Sequence, residues 1–188
     1  MLIGQFCESY PPTLDGVGRV MLSYCKHLSA RGHRAVYIAP QNRKFDPPEG
    51  VEVLLYGGVP VPGEAYRVGI PRLSGSYRRK ADQMPFDVLH AHSPFFGARE
   101  ARRLARRLHV PLVATFHSKY YDDFLKVTHS RLIANAVVQY IVRFFEQCDE
   151  VWAVNRQTGE VLKSYGYRGD VVVMPNGTDP FTLTPEQR

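Results

Sequence analysis

Short apolar runs alternate with amphipathic stretches along nearly the whole chain. The runs at Leu2–Phe6, Ala35–Ala39, Val51–Tyr56, Asp87–Ala91, Leu112–Phe116, Val151–Val154 and Val171–Met174 have the length and apolar content of buried strands. Between the first two, Val17, Val20, Met21, Tyr24 and Leu28 recur at helical spacing, and Gly32 follows as a helix terminator. Ala98, Ala101, Leu104, Ala105 and Leu108 form a second such stripe, with five arginines on the opposite face. Leu132 to Gln147 predicts a longer, mostly buried helix, and Gln157 to Tyr165 a short one. Strands separated by helices predict an α/β fold: a doubly wound, Rossmann-like domain with a mainly parallel sheet covered on both faces. The stretch Gly57–Ser76 departs from this rhythm. It is rich in Gly and Pro and too long for a routine connector, which marks it as functional or mobile.

Composition narrows the class without changing the architecture. A chain of 188 residues, 44% hydrophobic and 22% charged, can bury a core without covalent staples. Cys7, Cys25 and Cys148 are odd in number and show no CxxC spacing, so a reducing compartment is expected. The N-terminus has no basic n-region and reaches Glu8 before a signal-length apolar run forms. The run Leu132 to Val142 is too short to span a bilayer and contains Asn135 and Gln139. The expected location is therefore cytoplasmic, with attachment to the inner face of the membrane left open. Charge is unevenly placed: residues 67–80 carry +5 and residues 99–107 carry +4, leaving −3 for the rest of a chain whose formal charge is +6. Local basicity of this kind points to an anionic surface as partner. RNP and zinc-finger patterns are absent, so no nucleic-acid partner is expected.

Ligands of open α/β sheets bind outside the carboxyl ends of the strands, and the unusual residues of this sequence collect there. Asp15-Gly16-Val17-Gly18-Arg19 follows the first strand, His90 and His92 end the fourth, and His117-Ser118-Lys119 follow the fifth. Asn155 and Arg156 follow the sixth, and Asn176-Gly177 the seventh. Two readings of the glycine segment compete: a phosphate site at a helix N-terminus, or a tight turn that only serves packing. His90 and His92, two apart on a strand, point to one face. With His117 they suggest either a three-histidine metal site of hydrolase type or a division of labour, His90 structural and His117 on substrate. No Asp or Glu follows in a zinc spacing, which favours the second, and no metal is expected. GxSxG, P-loop and HExxH patterns are absent.

The segments Phe86-Asp87-Val88-Leu89-His90-Ala91-His92-Ser93-Pro94-Phe95-Phe96-Gly97 and Val110-Pro111-Leu112-Val113-Ala114-Thr115-Phe116-His117-Ser118 resemble the N-terminal domain of glycosyltransferase family 4. Tyr10-Pro11-Pro12, Asp15-Gly16-Val17, Ala30-Arg31-Gly32-His33 and Val173-Met174-Pro175-Asn176-Gly177-Thr178-Asp179 extend the resemblance over essentially the whole chain. It implies one half of a glycosyltransferase B fold: residues 1–175 as the acceptor-side domain, and residues 176–188 as the start of a crossing to a nucleotide-sugar-binding domain. It implies retaining transfer from a nucleotide diphosphate sugar, without cofactor or metal, to an acceptor that is a lipid or a saccharide. Gly16 would then lie beside the donor phosphates and His117, the catalytic candidate, beside the transferred sugar, with Val17, Gly18, Arg19, His92, Ser118, Lys119 and Asn155 as further substrate-binding residues. The family often has two glycines where Asp15-Gly16 stands and Ser where Asn155 stands. The Asp-Gly-Val version occurs in members that glycosylate diacylglycerol. In some lipid-modifying members basic and apolar residues of this region dock on membranes, which makes Arg72, Arg78, Arg79 and Lys80, beside Tyr66, Val68, Ile70 and Leu73, candidate membrane-facing residues. A solvated loop and helix face is the competing reading, and the arginines at 99–107 are expected to form an exposed helix face. The chain as given is expected to be inactive alone, and a non-catalytic sugar- or phosphate-binding module is the alternative to an enzyme half.

Overall fold

A computed structural model describes residues 1–10, 15–41, 48–60 and 67–177. Strands β1 (Leu2–Phe6), β2 (Arg34–Pro40), β3 (Glu52–Tyr56), β6 (Val88–Ala91), β7 (Leu112–Phe116), β8 (Glu150–Ala153) and β9 (Val172–Val173) form one parallel sheet in the order β3-β2-β1-β6-β7-β8-β9. Two further strands, β4 (Gly58–Pro60) and β5 (Arg67–Gly69), pair as an antiparallel hairpin. The helices are α1 (Gly16–Ala30), α2 (Gly75–Ala81), α3 (Phe96–Leu108), α4 (Tyr120–Thr128), α5 (Arg131–Phe145) and α6 (Arg156–Ser164). The α/β, Rossmann-like expectation holds, and each of the seven predicted strands is found within two residues of its expected limits.

Local chemistry sets the helix ends. The Asp15 carboxylate accepts a 2.7 Å hydrogen bond from the Gly18 amide and caps α1. At the other end Gly32, at φ +83°, donates to the Ser29 carbonyl while His33 donates to Leu28, which closes the helix in a left-handed turn. Ala98, Ala101 and Ala105 are buried on α3 beside Leu104, the small size of the alanines letting the helix sit close on β6. The main core gathers β1, β6, β7 and the helices over them, and a smaller cluster of Cys7, Met21, Cys25 and Tyr37 lies under α1.

Three expectations need correction. Gly57–Ser76 is not one long loop: its described residues hold the β4–β5 hairpin and a 3-10 turn at Pro71–Leu73, while Tyr66 lies outside the described residues. Helices α2 and α4 escaped the pattern because one is a short arginine-rich turn and the other carries Asp122, Asp123 and Lys126 among its apolar positions. Helix α5 is buried along Ala134, Val138, Ile141, Val142 and Phe145 but leaves Leu132 80% exposed and Ile133 and Tyr140 accessible. Of the expected crossing, only Asn176 and Gly177 are described. No helix among the described residues is long and apolar enough to cross a membrane.

Candidate active site at the carboxyl rim

After β1 the chain runs to β2 and β3 on one side of the sheet, then returns to β6 on the other side of β1. The switch point between β1 and β6 opens a crevice at the carboxyl ends, where such folds take ligands. The start of α1, the start of α3 and the ends of β6 and β7 meet there. Gly16 is exposed, and among the described residues nothing stands within 4 Å of where a Cβ would be, so a ligand can approach its backbone. Gly18 differs, because its amide is already bonded to Asp15. The anion-binding capacity of this helix start is thus left to the amides of Gly16 and Val17, beside a carboxylate.

The histidines form a hydrogen-bonded chain that reaches back into the sheet. The Gln5 side-chain oxygen lies 2.7 Å from His92 Nε2, and His92 Nδ1 lies 3.2 Å from His117 Nε2. With Gln5 accepting, His92 donates from Nε2, which leaves its Nδ1 bare to accept from His117 Nε2–H. His117 then offers an unprotonated Nδ1. His90 packs 4.0 Å from His92 between ring centroids and is held at 2.8 Å from the Thr115 hydroxyl. The ring of Tyr24 on α1 abuts both, and that of Trp152 on β8 abuts His90. Burial holds His90 down at about 3, and neighbouring His117 adds to the effect. Burial likewise lowers His92 well below its ordinary value and His117 to about 4, although the Asp15 carboxylate pulls His117 the other way. All three rings are neutral at pH 7.

This arrangement sorts the expected residues. His90 and His92 share a face and β7 is adjacent to β6, as the pattern required. His92 is 0% exposed, with one ring nitrogen bonded to Gln5 and the other to His117. His90, bonded to the Thr115 hydroxyl, is 3% exposed within the cluster. Ring nitrogens engaged with Gln5, Thr115 and each other do not converge on a common point, and no metal-holding group of three or more His, Cys, Asp or Glu occurs among the described residues. His117 and Ser118 are partly buried at the rim and Lys119 is exposed at the start of α4. Arg19 is exposed on α1, and the Asn155 side-chain oxygen is bonded to the Thr158 amide, capping α6.

Two site residues escaped the sequence reading. Glu8, just past β1, accepts a 2.6 Å hydrogen bond from the Gly97 amide at the start of α3. Burial pushes its carboxyl up to about 7 against the opposing pull of that amide and of the Tyr56 hydroxyl. Gln5 is 1% exposed in the middle of β1. A polar side chain inside an apolar strand and a carboxylate two residues beyond its end are the signals by which the sequence could have shown them.

Basic residues form a second feature. Arg72, Arg78, Arg79 and Lys80 are exposed beside exposed Val68, Ile70 and Leu73, the last at 81%. The α3 arginines do not simply face solvent: Arg99, Arg102 and Arg106 line a groove of about 700 Å³ whose other wall is Ile70, Pro71 and Arg72.

The chain is similar to known proteins over this same span. It is 27% identical over 194 residues to a GDP-mannose-dependent alpha-mannosyltransferase of Corynebacterium glutamicum, covering 100% of this chain and 46% of that protein. It is 24% identical to alpha-monoglucosyldiacylglycerol synthases of Streptococcus pneumoniae and Acholeplasma laidlawii, covering 41% and 50% of them and 95% and 100% of this chain. The chain thus spans about half the length of the relatives it matches. Among solved structures, Acinetobacter baumannii MurG superposes with a TM-score of 0.56 at 12% identity over 95% of this chain and 46% of MurG. An alpha-glucosyltransferase solved with UDP and a 13-mer DNA gives 0.55 at 12% identity, over 95% of this chain and 43% of its own. These likenesses show the fold, one half of a glycosyltransferase B architecture. The model of Glycosyltransferase Family 4 matches residues 14–180, and with the rim geometry and relatives above it establishes that the chain belongs to that family.

Proposed function

We propose that the chain is the acceptor-side half of a retaining glycosyltransferase that moves a sugar from a nucleotide diphosphate donor to a membrane lipid. The observation that carries the reading is the Gln5–His92–His117 chain at the switch point, which presents one neutral imidazole beside the start of α1. In this reading the Gly16 and Val17 amides meet the donor diphosphate, and His117 Nδ1 accepts a hydrogen bond from a hydroxyl of the transferred sugar. In the same reading Ser118, Lys119, Arg19 and Asn155 are further substrate contacts. Retention without an enzymic nucleophile follows from attack on the leaving-group face, with the departing phosphate taking the acceptor proton. The second half of the protein would hold the nucleotide. No cofactor or metal enters this scheme.

The lipid acceptor is supported by exposed Ile70 and Leu73 beside Arg72, Arg78, Arg79 and Lys80, and by two relatives named for diacylglycerol. Each basic residue near an anionic leaflet contributes about 1 kcal/mol, so these four suffice for reversible attachment at the inner face of the membrane. The test uses the full-length protein with labelled nucleotide sugars and diacylglycerol in anionic vesicles. We expect label to appear in lipid, and His117→Ala to lower kcat by about 2–4 kcal/mol equivalent with little change in the donor KM. An unchanged kcat would reduce His117 to a structural residue. Transfer to soluble saccharides alone would remove the lipid acceptor.

A further inference from the structure

A second groove adjoins the arginine-lined one. It has a volume of about 550 Å³ and runs between α4, α5 and the start of α3, walled by Phe95, Phe124, Leu132, Ile133 and Val137. Phe96 and Arg99 line both grooves, so the apolar one opens onto the basic one without a break. The apolar lining offers no hydrogen-bonding side-chain group except Arg99 and the Tyr140 hydroxyl. An extended peptide laid there would leave backbone groups unsatisfied, whereas an aliphatic chain has none to satisfy.

The basic groove carries uncompensated charge. Arg103 bonds Glu100 and Asp82 at 2.7 and 2.8 Å, and Arg107 also pairs with Asp82, which uses up the local acids. Arg99, Arg102 and Arg106 recur at spacings of three and four on α3, with no ion-pair partner among the described residues, and Arg72 faces them. Like charges so spaced repel across a helix face. Burial, then Arg106 and Arg99, lower the pKa of the Arg102 guanidinium, and its Nε is buried without an acceptor. An anion seated among these three side chains would accept from their groove-facing guanidinium groups and relieve the repulsion.

We propose that the two grooves form one site for a single anionic phospholipid, its acyl chain between α4 and α5 and its headgroup phosphate on Arg99, Arg102 and Arg106. This deepens the membrane reading above, but it lies on α3–α5 and not on α2, so the two can fail separately. A lipid drawn part-way from the leaflet in this manner orients the domain, with the start of α3, and hence the Glu8 end of the crevice, turned toward the membrane.

The test is titration of the chain with a water-soluble short-chain phosphatidylglycerol below its micelle concentration, alongside inorganic phosphate and an uncharged alkyl maltoside of equal chain length. Phosphatidylglycerol should bind at least about ten-fold tighter than either control. Two surface variants, Arg99→Ala/Arg106→Ala and Leu132→Ser/Ile133→Ser, should each weaken it about ten-fold or more, while Arg78→Glu/Arg79→Glu leaves it unchanged. Both new variants change exposed side chains, and an unaltered thermal transition confirms their fold. The proposal is overturned if the maltoside binds as tightly, if phosphate alone accounts for the affinity, or if Leu132→Ser/Ile133→Ser has no effect. It also fails if a short DNA duplex binds the arginines more tightly than the lipid, or if the apolar variant instead abolishes self-association of the chain.

Discussion

Acidification from pH 7 to pH 5 should weaken the fold by about 4 kcal/mol, and the origin of that loss is the buried histidine cluster. His90 and His117 titrate at about 3 and about 4 in the folded chain, and His92 well below its ordinary 6.5. At pH 5 the folded protein has taken up almost no proton on these rings, while the unfolded chain, with imidazoles near 6.5, has taken up nearly one on each. Protons therefore favour the unfolded state. The stability that these rings supply is complete above 6.5 and drains away as the pH falls toward their folded values. Each ring costs about 2 kcal/mol over the interval, about 6 for the three. Glu8 acts in the opposite sense. Its folded value of about 7 lies above the ordinary 4.5, so throughout the interval from pH 7 to 5 the folded state holds more of this proton than the unfolded state does. This returns about 2 kcal/mol and leaves the net loss of about 4. Urea unfolding at the two pH values, at constant ionic strength and with unchanged slope, measures the difference directly. Glu8→Gln removes the opposing contribution and should widen the loss to about 6 kcal/mol. A wild-type stability that is flat or rises on acidification, or a Glu8→Gln variant with a smaller loss, would refute neutral buried imidazoles as its source.

Replacing Gln5 by Leu deprives the buried His92 Nε2–H of its acceptor and should destabilise the chain by about 1–3 kcal/mol. Imidazole 15N shifts should then show His117 losing its single tautomer; a wild-type spectrum with His117 protonated on Nδ1 would reverse the assignment. Arg103→Met strands the carboxylate of Glu100, 2% exposed, and should cost about 3–5 kcal/mol by denaturant unfolding, far more than loss of the exposed Arg34–Glu52 pair. Gly4→Ala places a methyl 2.7 Å from Leu89 Cδ2 in the centre of the sheet and should lower stability by about 1–3 kcal/mol, read as a drop in Tm. In vesicle flotation, Arg78→Glu/Arg79→Glu should reduce retention on phosphatidylglycerol-containing vesicles and leave neutral vesicles unaffected; equal retention would return α2 to a solvated face.

Much of this molecule was legible from residue order because strand and helix periods are local properties. The runs at Leu2–Phe6 and Leu112–Phe116 match their strands to the residue, and Asp15 and Gly32 mark the two ends of α1 where capping chemistry requires them. The positions of His90, His92 and His117 at strand ends were equally readable, since alternation along a strand and the rule for parallel crossovers place them on one rim. What those side chains do was not readable, because it depends on partners far away in sequence. Gln5 lies 87 residues from His92 and Glu8 lies 89 from Gly97; only the pairing of β1 with β6 brings them within hydrogen-bond reach. That pairing sets the His92 ring between Gln5 and His117. It also raised Glu8 toward neutrality by burying it. The arginines of α3 changed meaning in the same way: on the helix alone they are a solvated stripe. The packing of the Pro71–Leu73 turn across them, and of Phe96 against the α5 groove, made them a concave charged surface. Periodicity fixes which face a residue takes. Burial, protonation and shared grooves arise only where elements distant along the chain close over one another.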